Sequence, residues 1–353
     1  VERASSYRRK RVLVTGGLGF IGGNLVRALV GAGARVTVVD WLVNGCGGNR
    51  HNLAGLEAEV ETIESDIGDA ASVGAAIDET DVVFNLAGEI SHIHSMRFPL
   101  RDAAINVVSQ LAFLEGCARR RPGLRIVYAG TRQMYGAPRY LPVDESHPIQ
   151  AVDFNGIHKY AATAYHLLFS QSGQLDAVAL CLTNVYGPRM GLDNPCQGFI
   201  SNFVRRVMTG QAIEIFGDGR QLRDPVYVDD VVDCFLLAGA ATRLPARQYN
   251  VGGGEVLTVA HIAEAVSAAA AAPAPVFRPF PEEQKAIDIG SYSTDSSLVR
   301  QDFGWSPRVN FETGMARTIE FFRKELPHYL DPDNPNPPCK LAAASTLKTA
   351  PAR

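Results

Sequence analysis

The chain contains no apolar run of membrane-spanning length, no paired cysteine motif and no large excess of charge of either sign. A bilayer-crossing helix needs roughly 20 consecutive apolar residues, so no transmembrane role is expected. The six cysteines, Cys46, Cys117, Cys181, Cys196, Cys234 and Cys339, are scattered, and none forms a C-x-x-C pair. That spacing argues against a zinc site or a disulfide framework and makes a reducing cytoplasm the simplest location. A formal net charge of -3 supplies no basic field to attract nucleic acid or an acidic membrane. Residues 1–10 are polar and basic and lack the apolar centre of a secretory signal, so they read as a short flexible arm. No internal repeat is visible.

One stretch organises what is present. Arg11 to Thr15 is a β-branched run that reads as a buried strand. A glycine-rich turn follows, with Gly16, Gly19, Phe20, Ile21 and Gly22, and then an apolar helical pattern through Leu25, Val26, Leu29 and Val30. In such a unit the first glycine permits a sharp turn, the second lets backbone approach a pyrophosphate, and the third lets helix and strand pack closely. The phosphates then lie at the positive end of a helix. A second strand, Arg35 to Val39, ends in Asp40, the position from which a carboxylate accepts from both adenosine ribose hydroxyls. It repels a 2′-phosphate, which favours NAD over NADP.

The chain then alternates strands and helices. Asn44 and Gly45 lie in a polar loop placed to touch the adenosine. Asp66 and Ile67 close a third strand. Asp66 is placed to meet the adenine amino group, or to cap the next helix. Leu86, Ala87 and Gly88 end a buried strand in small residues, which lets a flat cofactor approach. Glu89, Ser91, His92 and His94 follow. The His-x-His pair has no third ligand nearby, so no metal site is expected. Residues 101–121 read as a helix. A strand from Leu124 ends at Thr131, and Asp153 is placed to cap a helix running to Gln171. Asn155 and Lys159, four apart, share one face of that helix.

Taken together, TGGLGFIGG, Asp40, Asp66-Ile67, NLAG, TRQMYG at residues 131–136, LTNVYGPR at 182–189, RDPVYVDD at 223–230, YNVGGG at 249–254 and DFGWSP at 302–307 resemble the extended short-chain dehydrogenase/reductase family. The likeness is to its nucleotide-sugar epimerases and dehydratases, and it spans residues 11–322. The resemblance implies NAD as cofactor and a nucleotide sugar as substrate. It also implies a homodimer built by pairing the long helices near residues 101–121 and 155–171. It gives Thr131 a hydrogen bond to the reacting sugar hydroxyl and Lys159 the nicotinamide ribose. Asn184 and Arg223 would meet the diphosphate, where an arginine's planar fork is suited to phosphate. Lys285 lies near a second phosphate-binding arginine of relatives. Glu89, Ser91, Gln133 and Arg189 join the substrate set, and Phe199 is placed either to stack on the nucleotide base or to fill core.

The sequence departs from that family at two places. The catalytic tyrosine of the Y-x-x-x-K pattern is replaced by Asn155, an amide that cannot take a proton in any useful range. The acidic pair that dehydratases carry is replaced by Arg132-Gln133, which argues against loss of water by that route. His158, His92, Glu89 and Tyr186 are candidate replacements for the tyrosine. Two alternatives stand beside them: Asn155 and Thr131 orient the hydroxyl while solvent carries the proton, or the site binds without redox chemistry.

The expected fold is a Rossmann-type α/β domain, a doubly wound and mostly parallel sheet, over residues 11–190. Parts of 220–255 return to it. Residues 191–330 form a smaller C-terminal substrate lobe, and residues 331–353 a flexible tail. The expected activity is epimerisation by transient oxidation of a ring hydroxyl. The alternatives are a one-way oxidation or dehydration, or a non-catalytic binding protein.

Overall fold

The structure, a computed structural model, describes residues 6–43, 47–193, 198–281, 285 and 288–330. The expected roles of Asn44 and Gly45, and the expected tail, lie outside the described residues.

The first half is a regular strand–helix alternation. It comprises β1 (Arg11–Thr15), α1 (Phe20–Gly31), β2 (Arg35–Asp40), β3 (Val60–Glu64), α2 (Ala70–Asp78) and β4 (Val82–Asn85). Helices α3 (His92–Arg97), α4 (Pro99–Ala103) and α5 (Ser109–Arg120) follow, then β5 (Arg125–Thr131), α6 (Phe154–Gln171) and β6 (Asp176–Leu182). Beyond come α7 (Phe199–Met208), α8 (Val228–Ala240), β7 (Gln248–Val251), α9 (Val259–Ala270), α10 (Ser297–Phe303) and α11 (Phe311–Glu325). The seven strands form one parallel sheet in the order β7-β6-β5-β4-β1-β2-β3. The order reverses between β1 and β4. That switch point opens a crevice beyond the strands' carboxyl ends.

Both sheet faces are covered, as an all-parallel sheet requires. Leu25, Val26 and Leu29 of α1 and Val231, Phe235 and Ala238 of α8 pack on one face with Val12, Val14 and Phe84. Phe113, Leu114 and Cys117 of α5 pack on the other with Leu13, Val83 and Ile126. A separate apolar cluster holds α7, α9 and α11 together through Phe203, Val204, Ile262, Val266, Met315 and Phe322. Among the described residues no helix is long and apolar enough to cross a membrane.

Three local features differ from the sequence reading. Residues 6–10 are not a loose arm: Tyr7 is 1% exposed and its hydroxyl donates to Leu236 O of α8 at 2.7 Å. The helix expected over 101–121 is broken by a π-helical turn, Ala104–Val108, between α4 and α5. The cap of α2 is Asp69, accepting from Ala71 N, which leaves Asp66 to other work. The C-terminal end is tied back to the first half. His51 Nε2 lies 2.9 Å from Glu325 of α11, and the His51 ring stacks on His328 at 3.7 Å.

Tyr7→Ala empties a fully packed site and is expected to cost about 3–5 kcal/mol by chemical denaturation. A change below about 0.5 kcal/mol would mean that the segment is not docked in solution.

Candidate active site

The turn after β1 shows why two of its residues are glycine. Gly16 has φ +67°, and a Cβ there would sit 2.8 Å from the Leu86–Ala87 backbone. A Cβ on Gly22 would come within 2.1 Å of Gly16 O. The N-terminal end of α1 has neither a side-chain cap nor an acidic residue in its first turn, so its positive end is open to an anion. Asp40 ends β2 with its carboxylate accepting from Leu18 N and Leu42 N, both at 3.0 Å. Burial pushes its pKa up, against those two backbone bonds. A carboxylate has about four acceptor positions, so it retains capacity for two hydroxyl donors. Asp66 accepts from Gly68 N and from Ser109 Oγ.

Behind this turn lies a buried polar network. Thr15 Oγ1 donates to Asn85 Oδ1 at 2.6 Å, and Asn85 Nδ2 donates to Gln110 Oε1 at 2.8 Å. Gln110 Nε2 in turn donates to Ala87 O, and Thr15 Oγ1 accepts from Ala87 N. The loop after β4 is thereby fixed to strand and helix. Satisfied networks of this kind hold backbone in one place.

Lys159 lies just beyond. Its Nζ donates to Ala129 O at 2.8 Å and sits 4.5 Å from the centre of the Tyr128 ring. Burial pushes its pKa down to about 8, with Asp102 working in the opposite direction. A Cβ on Gly88 would be 3.6 Å from that Nζ, so glycine leaves the approach to Lys159 open. Asn155, one helical turn earlier, commits both amide hydrogens inward. They go to Glu89 O at 2.8 Å and Asp102 Oδ2 at 3.0 Å. Asn106, in the π-helical turn, donates to the same two residues. Asn155 is thus a strut between α6, the loop after β4 and α4. Asp153 caps α6 through Gly156 N and also accepts from Gln133 Nε2 at 2.8 Å. His92 Nδ1 lies 3.0 Å from Oδ2, the oxygen that Gln133 also reaches. Burial alone would raise the Asp153 pKa, but His92, Gly156 N and Gln133 outweigh it and hold it low.

The glycine turn, Asp40, Asp66, Gly88, His92, Gln133, Asn155 and Lys159 line one continuous cleft of about 640 Å³. It runs from the glycine turn, past Asp40 and Asp66, to Gly88, Thr131 and Lys159. It ends in a second compartment with Asn184, Phe199, Arg206 and Arg223. That compartment sets Arg132, Arg206 and Arg223 beside Glu214 and Asp288, with Arg223 Nη2 3.7 Å from Asp288 Oδ1. Arg132 Nη2 donates to Asn184 Oδ1, and its guanidinium lies 4.7 Å from the Tyr292 ring centre. Arg223 donates to Leu222 O and Gly290 O, and burial together with Arg132 pushes its pKa down to about 10. Each arginine keeps one buried nitrogen without a partner: Nη1 of Arg132 and Nε of Arg223. Asp224 and Asp288 offset part of this charge, and the two free nitrogens leave donors available to an anionic occupant.

Gly16, Gly19, Phe20, Ile21, Gly22, Asp40, Asp66, Ile67, Leu86, Ala87, Gly88, Glu89, Thr131, Gln133, Asn155, Lys159, Asn184, Phe199 and Arg223 all line the cleft. Three residues of the expected substrate set do not. Ser91 is buried and caps α3 by accepting from His94 N. Arg189 donates to Asn24 Oδ1 and packs over Phe321, so its charge is spent between α1 and α11. Lys285 is exposed and outside the lining. Arg132 belongs to the lining and was missed as a binding residue. The sequence signal was its place in TRQMYG, beside Thr131.

The sheet order, the glycine cradle and the open helix end define a dinucleotide-binding α/β protein, with a second compartment that holds buried arginines. Residues 12–252 match the family model for the NAD dependent epimerase/dehydratase family. A UDP-glucose 4-epimerase of Mycolicibacterium smegmatis is 33% identical over 319 residues, covering 89% of this chain and 99% of that one. The crystal structure of a UDP-glucose 4-epimerase from Thermotoga maritima with UDP-glucose is 31% identical, with a TM-score of 0.81, 89% of this chain and 99% of that chain covered. That of Thermus thermophilus UDP-glucose 4-epimerase in complex with NAD is 32% identical, with a TM-score of 0.79 and the same coverage. A dTDP-glucose 4,6-dehydratase at 31% identity and a UDP-glucuronic acid decarboxylase at 28% are also similar. The chain belongs to the NAD-dependent epimerase/dehydratase family, a family of enzymes. The cradle that a Cβ would fill at Gly16 and Gly22, the uncapped end of α1 and the spare acceptors of Asp40 fit NAD.

Lys159 is expected to titrate near pH 8, gaining its charge as pH falls through that value, when its labelled ammonium is followed by NMR in the ligand-free protein. A midpoint above pH 10 would show that it is not desolvated as drawn.

Proposed function

We propose that this protein is an NAD-dependent epimerase of a nucleotide-activated hexose, acting by transient oxidation of a ring hydroxyl. The observation that carries this reading is the single cleft. It places Thr131 and Lys159 between a dinucleotide cradle and a pocket of desolvated arginines. NAD supplies a reversible hydride acceptor when bound. Asp40 would hold the adenosine ribose and Lys159 the nicotinamide ribose. Thr131 would orient the sugar hydroxyl, and Asn184, Arg132 and Arg223 would receive the diphosphate. The names of the similar proteins above support a uridine nucleotide and inversion at C4. The loss of both dehydratase carboxylates, at Arg132 and Gln133, supports epimerisation over loss of water.

Asn155 favours a second reading, a protein that binds NAD and a nucleotide sugar without turnover. The two readings separate when the full chain, loaded with NAD, meets UDP-hexoses and dTDP-hexoses while reduced-nicotinamide absorbance and product sugars are followed. Epimeric product, with at most a transient rise in absorbance, is expected. Binding with neither product nor absorbance change would establish the binder instead. A stoichiometric rise would mean one-way oxidation.

The proposed dimer has support on α5 and α6. Val108 beside α5, and Ile157 and Leu168 on α6, are 63%, 49% and 59% exposed, apolar surface that a helix-paired dimer would cover. Leu168→Glu is expected to shift sedimentation from dimer to monomer while leaving the fold intact. A wild-type protein that sediments as a monomer would remove this interface.

A further inference from the structure

We infer that His92, held by Asp153, is the proton acceptor that stands in for the missing tyrosine. The inference rests on the epimerase reading above. Geometry disfavours the other three candidate residues. His158 Nδ1 is bound to the buried Asp102 at 2.7 Å, and the residue does not line the cleft. Tyr186 is 1% exposed, with its hydroxyl turned to Phe311 O at 3.3 Å. Glu89 is 3% exposed, and its Oε1 accepts from the N–H groups of Ile90 and Ser91 in its own loop. His92 lines the cleft with its side chain 37% exposed.

The placement of His92 follows from Asn155. Asn155 carries a shorter side chain than the tyrosine of the Y-x-x-x-K pattern and turns its amide inward, onto Glu89 O and Asp102. His92, from the facing loop, lines the same cleft as Thr131, Asn155 and Lys159. His92 opens α3 on that loop, three residues after Glu89. Its Nδ1 is 3.0 Å from Asp153 Oδ2, close but off the line of a well-directed hydrogen bond. Catalytic hydrogen bonds are often loose before substrate arrives and tighten afterwards. With Nδ1–H given to Asp153, Nε2 carries the lone pair, and it bonds to no other described residue. Asp153 is itself fixed by Gly156 N and Gln133, and Gln133 N donates to Thr131 Oγ1. The proton acceptor, its orienting carboxylate and the hydroxyl-orienting threonine therefore form one connected unit. This is the base-and-orienter arrangement by which an imidazole is kept in one tautomer and its cation is stabilised.

The step balances without a further reactant. The O–H bond of the sugar hydroxyl breaks and its proton goes to His92 Nε2. NAD, when bound, would supply the acceptor for the hydride that leaves the same carbon as its C–H bond breaks and C=O forms. On return the same hydrogen adds to the opposite face of the ketone, and Nε2 gives the proton back. Asp153 is a positioning residue here and stays ionised throughout.

The test compares the full-length wild type with His92→Gln, His92→Ala and Asp153→Asn, all loaded with NAD. The readouts are the pH profile of turnover, nucleotide-sugar affinity by calorimetry and the effect of added imidazole. The charged groups on elements packed against α3 are Asp153, His158 and Lys159 on α6 and Arg101 and Asp102 on α4, with Glu89 in the preceding loop. The shape of the pH profile must therefore change in His92→Gln, since an amide cannot take up the proton. Turnover by His92→Gln is expected to fall about 10²–10⁴-fold, with affinity changed less than about 3-fold. Imidazole should restore part of the activity of His92→Ala. Asp153→Asn should lower kcat and leave KM nearly unchanged. An active wild type with His92→Gln within about 3-fold of it at every pH would overturn this inference alone. So would equal losses in affinity and turnover with no rescue by imidazole. A wild type that binds both ligands but makes no product would overturn the functional reading, and this inference with it.

Discussion

The structure depends on one close approach, the backbone of the β1–α1 turn against the start of α1. At Gly22 there is no room for even a methyl group, because Gly16 O occupies the space 2.1 Å from where it would be. That contact tips the uncapped end of α1 toward the crevice at the sheet's switch point. It also sets Gly16 against the Leu86–Ala87 backbone, so the turn and the loop after β4 move as one body. The Thr15–Asn85–Gln110 network then locks the loop from behind. Everything proposed for the nicotinamide end, from Gly88 to Lys159 and His92, is placed by that loop or faces it.

Much of this was legible in the sequence because it is local. A β-branched run, three glycines at fixed spacing and an acid at the next strand end are read within 30 residues, and the sheet places them accordingly. Asp153 was legible as a cap because Ser, Thr, Asp and Asn ahead of an apolar helical run satisfy its free N–H groups. The second half was less legible. Its two- and three-residue ladders, such as Leu257–Thr258 against Leu222–Arg223, carry little periodic signal.

What the sequence could not show are pairings between distant, individually unremarkable polar residues. His92 and Asp153 are 61 residues apart, and each has an ordinary local explanation, a loop histidine and a helix cap. Arg132 and Tyr292 meet across 160 residues. Tyr7 sits in a basic, polar segment whose composition argues for disorder, yet one aromatic ring finds a slot against α8. The π-helical turn at Ala104–Val108 has no signature in the apolar pattern. Its effect is to aim Asn106 at Glu89 O, and such turns gather at functional sites. Arg189 and Lys285 erred the other way: a charge in a plausible motif position was spent on a structural contact or left in solvent.

The central claim is that a family fold which keeps its cradle and its lysine still moves a hydride to and fro, though its usual proton acceptor is gone. Isotope retention tests this most directly. A nucleotide hexose deuterated at the carbon that inverts is converted by the full-length protein with unlabelled NAD, and the product is examined by mass and NMR. Transient oxidation with return of the same hydrogen predicts complete retention of deuterium at that carbon. Washout into solvent would contradict it and point to deprotonation of the carbon.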